Sequence, residues 1–314
     1  MPKRVIIIGG VAGGASCAAR LRRLDENCEI TVLERGPYVS FANCGLPYYV
    51  GDVITPQGKL VLADAELFRD RFRITVKTRH EAAAIDPAAR TVSVRHTESG
   101  EESELPYDAL VLAPGAAPIR PPLPGIDSPG IFMVRTIPDA DAIRRWIEER
   151  GAKSAVVVGG GFIGVEMAEN LLHRGLGVTL VEMLPQILPN LDPEIAVRVQ
   201  QRMEEHGCKF ALGDAVAGFE QADDGGLCVL SKNGSRHRGD LVILGLGVRP
   251  ETALARGAGL TIGPTGGIEV DEHMRTSDPH IWAVGDAVQV RNVVTGQPQL
   301  LALAGPANRQ GRIA

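Results

Sequence analysis

Two groups of glycines, each followed by a carboxylate, carry the clearest chemistry in the chain. Gly9 and Gly14 lie in Gly9-Gly10-Val11-Ala12-Gly13-Gly14, and Glu34 follows 25 residues after Gly9. Gly159, Gly161 and Gly164 lie in Gly159-Gly160-Gly161-Phe162-Ile163-Gly164, and Glu182 follows 23 residues after Gly159. Glycines at this spacing let the backbone approach a pyrophosphate, whose charge rests at the positive end of the following helix, and the acid accepts hydrogen bonds from an adenosine ribose. The second group has the full Gly-x-Gly-x-x-Gly spacing, whereas the first carries Val11 at the middle position, which leaves its backbone less free. A carboxylate at Glu182 suits a free ribose 2′-hydroxyl, and Met183-Leu184-Pro185 offers no cation for a 2′-phosphate, so the second site favours NADH over NADPH. Five cysteines stand at 17, 28, 44, 208 and 228, at spacings that match neither a C-x-x-C metal site nor a disulfide framework.

Each glycine loop requires a buried strand before it, a helix after it and a second strand ending in the acid. Val5-Ile6-Ile7-Ile8 and Ala155-Val156-Val157-Val158 are short apolar, largely β-branched runs of the kind buried on both faces. Ala18, Leu21 and Leu24 give the first following helix its apolar pattern, and Ile163, Met167 and Leu171 give the second. Ile30-Thr31-Val32-Leu33-Glu34 and Val178-Thr179-Leu180-Val181-Glu182 complete two strand-turn-helix-strand units, with the glycines repeating at an offset of 150 residues. Asp192-Pro193 predicts a helix running to Gly207, and a further helix runs from Pro138 to Arg150 with Ile143, Trp146 and Ile147 on one face and Gly151 as its stop. Arg120-Pro121-Pro122-Leu123-Pro124-Gly125 reads as a linker, and Gly263-Pro264-Thr265-Gly266-Gly267 as a tight turn between strands.

The chain has 314 residues, enough for roughly two domains. Its 33 basic and 38 acidic residues give a net charge of −5, which argues against a nucleic-acid surface. No apolar run approaches the roughly 18 residues of a membrane span, and Val5 to Ile8 is too short for a signal-peptide core. The expectation is a cytoplasmic protein with no membrane partner and no metal site.

Three further segments resemble known elements of the flavin disulfide reductases. Tyr107-Asp108-Ala109-Leu110-Val111-Leu112-Ala113-Pro114-Gly115 is similar to their strand followed by Ala-Thr-Gly, with Pro114 in place of Thr. Thr276-Ser277-Asp278-Pro279-His280-Ile281-Trp282-Ala283-Val284-Gly285-Asp286-Ala287 is similar to their second FAD fingerprint. Ser40-Phe41-Ala42-Asn43-Cys44-Gly45-Leu46-Pro47-Tyr48-Tyr49 resembles the active-site segment of the single-cysteine branch, of the coenzyme A-disulfide reductase type.

The resemblance implies an α/β protein with two Rossmann-like dinucleotide-binding domains of the glutathione reductase type, an FAD domain (residues 1–118 and 250–314) with an inserted NAD(P)H domain (119–249). It places Gly9, Gly14, Glu34, Arg35, Gly115, Gly285 and Asp286 toward FAD. Toward the nicotinamide nucleotide it places Gly159, Gly161, Gly164, Glu182 and Gly247, with Phe162 where relatives carry an aromatic that covers the flavin, and Glu166 near the nicotinamide. The two-cysteine relatives carry C-x4-C, but Val39 stands five residues before Cys44. Cys44 would therefore store oxidation as a mixed disulfide, persulfide or sulfenic acid; Cys17, Cys28, Cys208 and Cys228 are expected to be structural. Ser16, Arg20, Arg23, Ser40, Asn43 and Asn308 fall at coenzyme A contacts of the relatives, Arg20 and Arg23 sharing one helix face.

The implied activity is NAD(P)H- and FAD-dependent reduction of coenzyme A disulfide, or a related disulfide or persulfide, through Cys44. NADH oxidase and NADH peroxidase are the alternatives, although their glycine loop resembles Gly-x-x-His-Gly-Gly where this chain has Ala12. A non-catalytic flavin- and NADH-binding protein is a further one. Leu301 to Arg312 resembles the start of the helix under the flavin, after which relatives continue into a dimerisation domain, so weak dimerisation and impaired turnover are expected of this chain by itself.

Overall fold

The computed structural model describes residues 2–222 and 225–314. It divides into two compact units: Met1–Phe41, Val61–Ala117 and Arg249–Ala314 form the first, and Ala42–Leu60 with Pro118–Val248 form the second. In chain order the strands that position the site are β1 (Arg4–Ile8), β2 (Glu29–Glu34), β3 (Thr75–Thr78), β4 (Ala109–Leu112), β5 (Ile131–Phe132), β6 (Ser154–Val158), β7 (Gly177–Glu182), β8 (Lys209–Leu212), β9 (Leu241–Leu244) and β10 (Ile281–Ala283). The helices are α1 (Ala12–Leu24), α2 (Leu46–Val50), α3 (Ile137–Arg150), α4 (Phe162–His173), α5 (Pro193–Glu205) and α6 (Ala304–Ile313).

Each unit is built on a five-stranded parallel sheet, in the order β10-β4-β1-β2-β3 in the first and β8-β7-β6-β9-β5 in the second. The loop-helix repeat therefore extends much further than the glycines. In both units an antiparallel meander of three strands separates the edge strand from the next sheet strand: His80–Asp86, Thr91–His96 and Glu102–Pro106 before β4, and Val216–Gln221, Leu227–Ser231 and Arg236–Gly239 before β9.

Short apolar strands with no polar face are stable only when covered on both sides. In the first unit Ile6, Ile8, Leu110 and Leu112 pack with Tyr107 on one face of the sheet, and Val5, Ile7, Val32 and Val111 pack with Cys17 and Ala18 on the other. In the second, Val156, Val158, Val242 and Leu244 share a core with Phe219. Helix ends follow their capping chemistry: Thr136 and Asp139 form a capping box at the start of α3, and Gly151 takes the left-handed conformation (φ 58°) that ends it.

Three sequence expectations need correction. Leu24 is 66% exposed, because the last turn of α1 is held by polar bonds: the Arg22 guanidinium donates to the carbonyls of Asp25, Glu26, Phe72 and Arg73. The Arg120–Gly125 stretch is a docked arm; Phe219 N–H donates to the Pro124 carbonyl, Gly125 (φ +74°) lies against the Phe219 backbone, and Ile126 is buried. Residues 42–60, assigned with the first domain from sequence, group with the second unit because α2 packs on α3 and α4.

Candidate active site

The two glycine loops are superposable in their bonding. After β1, Gly9 adopts φ +95°, and after β6, Gly159 adopts φ +105°, a region open to glycine at little cost. Gly9 N–H donates to the Leu33 carbonyl and Gly159 N–H to the Val181 carbonyl, each at 2.8 Å. A methyl group at Gly14 would fall on the Gly9 carbonyl, and one at Gly164 on the Gly159 carbonyl, so helix and strand meet backbone to backbone in both units.

Glu34 and Glu182 are buried and brace these loops. Glu34 accepts from Gly10 N–H at 2.9 Å and Gly36 N–H at 2.8 Å; Glu182 accepts from Gly160 N–H at 2.5 Å and Leu184 N–H at 2.7 Å. Each carboxylate thus spends acceptor capacity on its own loop, in addition to the ribose contact expected from its place in the sequence. This second role is invisible to spacing alone.

Gly115 (φ +74°) and Gly247 (φ +89°) follow β4 and β9 in equivalent places. Gly9 packs on the Ala113 carbonyl and Gly159 on the Gly245 carbonyl, so these turns close the far side of each loop. Arg35 is engaged by Glu251 in a two-pronged ion pair, at 2.8 and 3.2 Å. Gly285 (φ +83°) and half-buried Asp286 form a 3-10 turn after β10, and Gly285 N–H donates to the buried Gln310 side chain of α6 at 2.7 Å. Gln310 carried no sequence signal, since its partner lies 25 residues away.

Gly161 is the first residue before α4 and has an unremarkable φ of −75°, and a methyl group there would meet nothing within 4 Å. The fold does not need glycine at that position. The open space lies at a helix N-terminus, whose unpaired N–H groups favour an anion. Phe162, on the first turn of α4, is 51% exposed.

Cys44 lies in a 3-10 turn (Asn43–Gly45) that runs directly into α2. It is exposed, whereas Cys17, Cys28, Cys208 and Cys228 are all buried. Burial pushes the Cys17 thiol up to about 12 and the Cys208 thiol up to about 11, which keeps both protonated and inert. Tyr48, four residues after Cys44 and so on its side of the helical turn, has its phenol raised by burial and by the charges of Glu166, Glu169 and Cys44. Glu166 is itself raised, by burial and then by Glu169. The thiol is thus accompanied by a phenol held in its donor form and by a carboxyl that resists ionisation.

The residues expected at coenzyme A fall in both units. In the first, Ser16 Oγ donates to Asn308 Oδ1 at 2.8 Å, Arg20 is half-buried, Arg23 is exposed with its guanidinium 5.9 Å from the Phe72 ring, and Ser40 takes a left-handed φ of 47° with its N–H on the Gly10 carbonyl. Asn43 is exposed beside Cys44 in the second. Among the described residues no helix is long and apolar enough to cross a membrane, and no group of three or more His, Cys, Asp and Glu could hold a metal ion.

Residues 3–311 match the family model described as pyridine nucleotide-disulphide oxidoreductase. The chain is 39% identical to a protein of Methanocaldococcus jannaschii named NADH oxidase, covering 99% of this chain and 69% of that one. It is 33% identical to coenzyme A disulfide reductase of Staphylococcus haemolyticus, covering 98% of this chain and 68% of that one. The crystal structure of reduced Bacillus anthracis CoADR-RHD superposes with a TM-score of 0.96 at 46% identity, covering 100% of this chain and 56% of that one. The chain therefore spans about two thirds of these curated relatives and little more than half of that solved chain.

Proposed function

The chain belongs to the pyridine nucleotide-disulphide oxidoreductase family, a family of FAD and NAD(P)H, and on that premise we propose that it reduces coenzyme A disulfide, or the corresponding persulfide, at the expense of NADH. The first unit would hold FAD through Gly9, Gly14, Glu34, Gly115, Gly285 and Asp286. The second would hold NADH through Gly159, Gly161, Gly164, Glu182 and Gly247, with Glu182 and the absence of a cation in Met183-Leu184-Pro185 supporting NADH over NADPH. When bound, FAD supplies a relay from the two-electron hydride donor to sulfur.

The observation that carries this reading is the contrast between Cys44 and the other four thiols. Cys44 is exposed at the start of a helical turn, on the unit that holds the complete glycine loop, and the others are buried. Only a thiol in such a place can take up a substrate sulfur and release it again. Tyr48, whose phenol is raised, would keep a proton near the departing thiolate. Free, unpaired thiols throughout the chain suit a reducing compartment, and we assign the protein to the cytoplasm on that ground.

Cys44→Ser tests the reading. NADH-dependent reduction of coenzyme A disulfide should fall by about a thousandfold, with FAD binding intact. Retained activity would reject a thiol mechanism. Oxygen is the competing acceptor, supported by the relative named NADH oxidase; Ala12 in the first loop argues against it. Oxygen uptake exceeding disulfide reduction with the purified chain would favour the oxidase reading.

A further inference from the structure

The segment that carries Cys44 is held at its other end by charge. Helix α2 spans only Leu46 to Val50, too short to persist without tertiary support. Its terminal carbonyls face two arginines. Arg144 of α3 donates to the Tyr49 carbonyl, pairs with Asp52 at 2.5 Å and lies 4.5 Å from the Tyr49 ring centroid. Arg174, directly after α4, donates to the Val50 carbonyl at 2.8 Å and pairs with Asp52 at 3.3 Å and Glu148 at 2.7 Å. Both arginine side chains are largely buried, at 18% and 10% exposure, while their partners Asp52 and Glu148 stay exposed, so the hydrogen bonds to the Tyr49 and Val50 carbonyls carry most of the anchoring and the ion pairs add less.

The lock extends in both directions. Tyr49 hydroxyl and Gln57 amide both donate to Asp141 of α3, at 2.9 and 2.7 Å. Gly51 lies so close to Asn170 of α4 that a methyl group would come within 2.6 Å of its side-chain oxygen. Cations at the carboxyl end of a short helix satisfy its orphan carbonyls and its dipole together.

We propose that Arg144 and Arg174 are positioning residues for Cys44: they fix the thiol-bearing segment to α3 and α4 and register the thiol to the helix that begins at the second glycine loop. This rests on the reading of Cys44 as the redox thiol. Neither arginine touches sulfur; each acts through the carbonyls and the carboxylate at the far end of α2.

The test uses Arg144→Met, Arg174→Met and Arg174→Lys in the FAD-loaded chain. Hydrogen exchange across residues 46–52 should quicken about tenfold or more in the methionine variants while β6 and β7 keep their protection. Turnover with coenzyme A disulfide should fall about tenfold or more with KM for NADH within about twofold, and Arg174→Lys should recover part of it. Unchanged exchange, or a fall in kcat matched by an equal rise in KM for NADH, overturns the proposal. Should iodoacetamide label the buried Cys17 and Cys208, signalling unfolding, the milder Asp52→Asn carries the same readings. If the wild-type chain reduces no disulfide or persulfide, the proposed function falls while the lock is still decided: faster exchange with an alkylation rate at Cys44 changed about fivefold supports it, and no change in either overturns it.

Discussion

The two glycine loops share a frame and differ in what surrounds it. Both place a left-handed glycine after the first strand, both brace the next amide with a buried carboxylate, and both press the last glycine onto the first carbonyl. The middle position is Val11 in one and Gly161, with open space around it, in the other. The covering helix differs too. In the first unit α6 crosses α1 where Gly311 meets the Gly13 carbonyl; in the second, α2 lies on α4 where Gly51 meets Asn170, and brings Cys44 with it. The shared part therefore belongs to the folding of the loops, and the divergent part is what distinguishes one unit from the other.

The largest expected effects test the shared frame. Gly14→Ala and Gly164→Ala each drive a methyl into a carbonyl and should cost about 3 kcal/mol. Gly14→Ala should abolish FAD retention, read by absorbance after gel filtration, and Gly164→Ala should abolish NADH binding with FAD retained. Loss of both ligands in both variants would break the one-ligand-per-unit reading. Next, Glu34→Gln and Glu182→Gln each replace one buried acceptor oxygen by an amide donor, leaving one of the two loop N–H groups without its partner, and should each cost about 1–3 kcal/mol, read as a lower denaturation midpoint and weaker binding of that unit's own nucleotide.

Smaller effects separate the loops. Gly161→Ala should leave stability within about 0.5 kcal/mol while weakening NADH about tenfold, since the methyl enters space the fold leaves open; calorimetry showing wild-type affinity would remove Gly161 from the site. The smallest concerns alkali. The raised thiols of Cys17 and Cys208 favour their protonated forms in the folded state, so the stability they contribute is full below the ordinary thiol value of 9.0 and is lost as pH rises through the folded values. That loss should run to about 11 for Cys208 in the second unit and about 12 for Cys17 in the first. Replacing either by alanine should flatten the alkaline decline of its unit in pH-stepped denaturation.

Much of this was legible in the sequence, because close backbone approaches admit almost nothing but glycine and a strand buried on both faces admits almost nothing polar. Gly9, Gly14, Gly159 and Gly164, the strands before them and the acids after them are dictated locally. The grouping of residues 42–60 with the second unit was not, since it depends on Arg144 and Arg174, over 90 residues from the carbonyls they meet. Leu24 misled because apolar spacing records only what a helix could bury, and Arg22 settled that turn by other means. Glu34 and Glu182 stand out in the sequence as ribose acceptors, and the structure adds that each braces its own glycine loop.

The crossing of α1 by α6 also bears on the order in which the chain becomes a protein as it is made. All of the second unit lies before residue 249, but the first must wait for Arg249–Ala314. At about 5–20 residues per second that delay is roughly 3–13 s. Until it ends, the β4 edge lacks β10 and the Gly13 face of α1 lacks Gly311, so the earliest strand synthesised belongs to the last sheet completed.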